Sequence, residues 1–138
     1  MKVKYKVWIE KDDKFIIGEG GIKILKSIDK HKKLTKVAKE LNMSYKFVWN
    51  YIKKIENNLK DCIVVTHRGG ANKGYTELTE RGKELIKIFD YYKNLFDKLL
   101  NNNYYSGRII KINENKIIVE VDNPKNLKEN DKIIIIKE

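Results

Sequence analysis

Between residues 44 and 59 the polar side chains recur at helical spacing. Lys46, Asn50, Lys53 and Asn57 share one face, and Val48, Ile52, Ile55 and Leu59 line the opposite one at steps of four, three and four. A helix so divided holds itself to a domain by its apolar side and offers hydrogen-bond donors on the other. An Asn amide matches the edge of adenine in the major groove, and a Lys ammonium reaches guanine or phosphate. Lys46 and Asn50, with Ser44 and Tyr45 at the N-terminal end, are therefore candidate base readers. Lys53 and Lys54 are candidate phosphate contacts. Thr35, at the start of the preceding helix, completes the set on this side. Phe47 and Trp49 raise base stacking as a further chemistry, although Trp49, beside Val48, is better read as a core residue.

A second basic element follows. Residues 67–74 read His67-Arg68-Gly69-Gly70-Ala71-Asn72-Lys73-Gly74. Glycines let a backbone approach a ligand closely. His67, Arg68, Asn72 and Lys73 supply polar contacts to a minor groove or a sugar-phosphate backbone. The glycines follow neither the Walker nor the dinucleotide-binding spacing, which weighs against a nucleotide phosphate loop. His31, His67 and Cys62 match no familiar metal-ligand spacing. No paired catalytic acids, activated serine or Cys/His arrangement is present. Catalytic and metal-binding residues are therefore expected to be none, and an enzyme is not expected.

The elements that must position these residues are legible from periodicity. Val3, Tyr5, Val7 and Ile9 alternate with lysines, which predicts a strand over 3–9. Lys11–Lys14 is a turn and Phe15-Ile16-Ile17 a returning strand. A first helix is expected at about 21–32, with Ile22, Leu25 and Ile28 inward. A second is expected at 35–41, with Thr35 as N-cap. Asn42-Met43 makes the turn and Ser44 caps a third helix over 45–59. Strands at 62–66 and 75–78 flank the glycine loop. Thr79 opens a helix to residue 100 whose apolar face includes Leu85, Ile88, Phe89, Tyr92, Leu95, Phe96 and Leu99. That face is wide for a helix lying on a small domain, and the same helix of a second subunit would cover it most simply. After a linker at 101–103, strands are expected at 107–112, 116–121 and 132–136. The order is that of an α+β fold: a winged helix-turn-helix with a short N-terminal β hairpin, a long dimerisation helix and a small C-terminal β tail. The expected domains are 1–19 (strands), 20–100 (DNA-binding) and 101–138 (β tail).

Charge agrees with this division. The net charge is +11, and residues 20–100 hold 18 Lys/Arg against 9 Asp/Glu, whereas 1–19 and 101–138 each carry +1. A polyanion partner is expected for the middle segment. One cysteine, Cys62, permits no disulfide within the chain and fits a reducing cytoplasm. No apolar run approaches the roughly 18 residues of a membrane span, and the N-terminus lacks a signal-peptide core.

Leu25-Lys26-Ser27-Ile28-Asp29-Lys30-His31, Leu34 to Lys46, Trp49, Val64 to Gly70 and Leu78-Thr79-Glu80-Arg81-Gly82 together resemble the N-terminal DNA-binding domain of ModE-type molybdate-responsive regulators, kin to LysR-type winged helices. The resemblance covers about residues 20–90. It implies a homodimer on a roughly palindromic double-stranded DNA operator, with the third helix in the major groove, the 67–74 wing on the flank and the long helix after Thr79 in the dimer contact. Full ModE-type regulators continue into oxyanion-binding Mop domains with a Ser-Ala-Arg-Asn-like signature. Residues 104–138 show only Tyr104-Tyr105-Ser106-Gly107-Arg108. The tail therefore does not support molybdate or another oxyanion, and no cofactor is expected. The alternative function is a protein-protein interaction or assembly module whose Ile-rich tail adds a strand to a partner sheet. RNA binding by the tail is disfavoured by its balanced charge and few aromatics.

Overall fold

Asp12 and Asp13 both take left-handed backbone angles, φ 50° and 58°, as the twist of a two-residue hairpin turn requires. They join β1 (Trp8–Lys11) to β2 (Lys14–Gly18) in antiparallel register, with a bulge between Ile9 and Glu10. The computed structural model describes residues 4–69, 74–100, 107–114, 116–122, 124 and 127–129. The strand expected over 3–9 is displaced toward the turn. Pairing ends at Trp8 opposite Gly18, where β2 runs out, and residues 4–7 are not in a strand. Ile16 and Ile17 are both buried and tie the hairpin to the core.

Three helices follow: α1 (Glu19–His31), α2 (Leu34–Glu40) and α3 (Tyr45–Leu59). α1 begins two residues before the expected start, with Gly18 as an extended N-cap. Gly20 and Gly21 are inside it, and at Gly21 a Cβ would lie 2.5 Å from Ile17 Cγ1 and 2.7 Å from Tyr51 Cε1. The missing side chain lets α1 lie directly against β2 and α3. α2 is capped by Lys33, with no side-chain cap. Thr35 is therefore not the N-cap expected for it. The Lys33 carbonyl already accepts from Lys36 N at 3.0 Å and Val37 N at 3.1 Å, which puts Thr35 inside the first turn. Asn42 turns the chain with a left-handed φ of 53°. Ser44 then caps α3, its Oγ accepting from Phe47 N at 3.0 Å. Val37, Val48, Ile52 and Ile55 pack with Ile17, Ile22, Leu25 and Ile28 in one core.

β3 (Val64–His67) and β4 (Tyr75–Leu78) form an antiparallel hairpin. β3 starts two residues after the expected 62 and takes in His67, which the glycine pattern alone places in the loop. α4 (Glu80–Leu100) is capped by Thr79, whose Oγ1 accepts from Gly82 N at 3.1 Å and donates to Cys62 O at 2.8 Å. Among the α4 side chains of the expected apolar face, only Leu85 and Phe89 are buried; Ile88, Tyr92 and Phe96 are exposed.

The chain divides into two compact units, Met1–Asp97 and Lys98–Glu138. In the second, β5 (Gly107–Asn113) pairs antiparallel with β6 (Lys116–Val121). Arg108 Nε meets Glu120 Oε2 at 2.6 Å across this hairpin, and Ile109, Ile110, Ile112, Ile117 and Ile118 are exposed. The expected linker at 101–103, Ser106 and the strand at 132–136 lie outside the described residues.

Candidate nucleic-acid interface

The amphipathic division of α3 exposes Tyr45, Lys46, Asn50, Lys53 and Lys54, because Val48, Ile52, Ile55 and Leu59 are in the core. Ser44 is exposed at the helix start, where its oxygen serves the cap. Trp49 is half-buried and packs against the core, whereas Phe47 is exposed. The face is not uniformly free. Lys53 Nζ lies 2.7 Å from Glu56 Oε2 and 4.6 Å from the centre of the Trp49 ring. The other carboxylate oxygen of Glu56 accepts from Ile63 N at 3.0 Å and Val64 N at 3.4 Å. Glu56 thus joins α3 to the base of the β3–β4 hairpin. Sequence reasoning did not single it out. The available signal was that Glu56 is the one acid in α3, three residues after Lys53.

The hairpin is secured at its root and exposed toward its tip. Thr76 N donates to Lys32 O at 2.8 Å, so β4 is bonded to the α1–α2 turn. The hydroxyls of Thr66 and Thr76 lie 3.3 Å apart. His67 stacks on Tyr75 with ring centroids 4.4 Å apart, and its Nε2 lies 3.0 Å from Glu77 Oε1. It is therefore more engaged than a loop residue would be. Arg68 and Gly69 are exposed, and Asn72 and Lys73 lie outside the described residues. A groove of about 500 Å³ runs between the hairpin and the helices, bringing together Lys33, Thr35, Tyr45, His67, Arg68 and Tyr75. Lys46, Asn50, Lys53 and Lys54 are not among its lining residues.

Two polar clusters steady the frame. Glu40 on α2 accepts from Ser27 and, at 2.7 Å, from Lys30 on α1, and His31 Nε2 lies 3.1 Å from it. Lys30 first, then Ser27 and His31, hold the Glu40 carboxyl down at about 2. Residue 5 reaches α4. The Tyr5 hydroxyl donates to Asp97 Oδ1 at 2.6 Å and accepts from Lys93 Nζ at 2.9 Å. Its pKa is raised, first by burial and then by Asp97, while Lys93 and then Tyr5 hold Asp97 below the ordinary carboxylate range. Among the described residues, no group of three or more His, Cys, Asp or Glu could hold a metal ion. No helix among them is long and apolar enough to cross a membrane.

Residues 11–97 match the family model for the winged helix-turn-helix, over more than half of the chain. The chain belongs to the winged helix-turn-helix family. The winged helix-turn-helix fold assigns α2, the Asn42 turn and α3 to the helix-turn-helix and β3–β4 to the wing. The chain is similar to the molybdenum-pterin-binding protein MopA of Rhodobacter capsulatus, 29% identical over 84 residues, which cover 61% of this chain and 32% of MopA. It is also similar to the molybdenum transport protein ModE of Azotobacter vinelandii, 28% identical over 82 residues, covering 56% of this chain and 30% of ModE. These matches agree with the ModE-type resemblance read from the sequence. The chain spans about a third of the length of these curated relatives. ArgP from Mycobacterium tuberculosis aligns in structure with a TM-score of 0.45 and 17% identity, over 60% of this chain and 29% of ArgP.

Proposed function

We propose that this protein is a sequence-specific regulator of transcription that binds double-stranded DNA as a dimer. The observation that carries the reading is the exposed polar face of α3, set beside a basic wing in the segment that holds nearly all the net positive charge. In this reading the N-terminal part of α3 enters the major groove. Ser44, Tyr45, Lys46 and Asn50 face base edges. Thr35, Lys53, Lys54, His67, Arg68, Asn72 and Lys73 meet the backbone or the flanking minor groove. The exposed Ile88, Tyr92 and Phe96 of α4 support a second copy as the covering partner, which gives a roughly palindromic operator.

Selection of binding sites from a random duplex pool tests binding, symmetry and half-site spacing together. The expected result is a recurrent inverted repeat. Affinity should fall steeply with salt, with a log–log slope of about −0.9 per phosphate neutralised. A Lys46→Ala/Asn50→Ala/Lys53→Ala variant that keeps full affinity would refute the role given to α3.

A second reading is favoured by one observation, the exposed isoleucines of the β5–β6 hairpin. They fit a module that adds a strand to a partner sheet. No binding to random duplex at low salt would favour that reading over DNA recognition.

A further inference from the structure

We propose that Glu56 is a positioning residue that restrains Lys53 and thereby limits the protein's affinity for DNA. The inference rests on the reading of α3 as the DNA-binding helix. The carboxylate is shared between two tasks. One oxygen is 2.7 Å from Lys53 Nζ; the other accepts from the backbone N–H groups of Ile63 and Val64 at 3.0 and 3.4 Å. The Glu56 side chain is only 10% exposed, whereas that of Lys53 is 45% exposed. Glu56 is thus fixed by the wing root, and Lys53 is the more exposed member. Lys53 is also drawn toward Trp49, 4.6 Å from its ring centre. Carboxylate and ring together hold the ammonium against the protein.

Lys53 shares a face with Lys46 and Asn50, so a duplex lying along that face brings a phosphate within its reach. The phosphate must compete with Glu56. When Lys53 moves to a phosphate, the DNA releases a condensed cation. While Glu56 holds Lys53, that contact is not made and that cation is not released. In the wild type Lys53 therefore adds less to affinity and to salt dependence than an unrestrained lysine would. A neutral acceptor at position 56 removes that opposition, yet keeps the acceptor for Ile63 and Val64.

Glu56→Gln supplies that acceptor. Binding to the selected operator, or to random duplex, is measured from about 50 to about 300 mM salt, a range over which phosphate contacts are strongly screened, for wild type, Glu56→Gln, Lys53→Ala and the double variant. Glu56→Gln is expected to bind about fivefold tighter at the lowest salt, the upper end for one exposed charge pair, and to steepen the slope by about 0.9, so that the gain fades toward the highest salt. Lys53→Ala should cost more in the Glu56→Gln background than in the wild type. Glu56→Ala, which also loses the backbone acceptor, should lower the melting temperature more than Glu56→Gln does. An equal gain from Glu56→Gln with and without Lys53 would overturn the inference, since it would report only the loss of one negative charge. An unchanged slope in Glu56→Gln would overturn it as well. Either result leaves DNA binding itself intact. Failure of the wild type to bind duplex at the lowest salt would instead remove the reading of α3, and this inference with it.

Discussion

Gly20 and Gly21 sit side by side in the first turn of α1, yet substitution by Ala should act on them in opposite directions. Neither has a positive φ, so Ala meets no backbone strain at either site. At Gly20 a Cβ would touch nothing within 4 Å. Gly20→Ala should therefore stabilise the fold by about 0.5–1 kcal/mol, the helical preference of Ala over Gly. At Gly21 the same atom would lie 2.5 Å from Ile17 Cγ1, 2.7 Å from Tyr51 Cε1 and 2.9 Å from the Tyr51 hydroxyl. Tyr51 is half-buried and can swing aside, but Ile17 is fully buried and has nowhere to go. Overpacking a core costs ~1–3 kcal/mol, and the same helical preference offsets part of that. Gly21→Ala should be destabilising by ~1–2 kcal/mol, which puts the pair ~2 kcal/mol apart. For a unit of 97 residues, that is a gap of roughly 10 °C in Tm. Thermal unfolding followed by circular dichroism, with urea titration as a check, measures it. Equal stability of the two variants would refute the claim that α1 rests on β2 and α3 at van der Waals distance. Because Tyr51 belongs to α3, Gly21→Ala should also weaken operator binding more than its stability loss explains.

Other perturbations test separate parts of the frame. Ser44→Ala removes the oxygen that caps α3 and should cost ~1 kcal/mol; Ser44→Asp, which keeps a capping acceptor, should restore most of it in the same urea titration. Glu40→Gln should lower Tm at neutral pH. The folded Glu40 pKa, about 2, lies below the ordinary value of 4.5, so its stabilisation is complete above that value and fades as pH falls toward 2. The two proteins should therefore converge in Tm near pH 2, and a constant difference across the acid range would contradict the Glu40 cluster. Tyr5→Phe keeps the ring beside Phe96 and loses the hydroxyl bonded to Asp97 and Lys93. It should lower Tm by a few degrees, read by circular dichroism, as expected for losing one part-buried hydroxyl's hydrogen bonds, and an unchanged Tm would count against this contact.

The helix-turn-helix was legible because its signals are local. Ser44 caps α3 through a bond three residues away, and the 4-3-4 spacing of Val48, Ile52, Ile55 and Leu59 fixes which side faces the core. The wing was legible in outline, since its two short apolar runs flank a glycine cluster. Its strand bounds were not. Pairing of His67 with Tyr75 lengthens β3 past the residue where β propensity fades. Thr35 misled as a cap because Thr is a favoured cap type, whereas the carbonyl that accepts the first helical bonds belongs to Lys33. The apolar residues of α4 were all visible, but composition does not say which are covered. Leu85 and Phe89 are buried, while Ile88, Tyr92 and Phe96 are left outside.

What the amino-acid order determined by itself was the succession of elements, the two faces of α3 and the concentration of positive charge in residues 20–100. Those properties depend on neighbours within a turn or two of the chain, or on counting. Only the tertiary structure decided that Gly21 is a contact point, that β4 is bonded to Lys32, and that Lys53 is held by a Glu56 anchored at the wing root. The first two depend on atoms brought together from distant parts of the chain. The third needs both kinds of contact: a three-residue step along α3, and a wing root folded back against it.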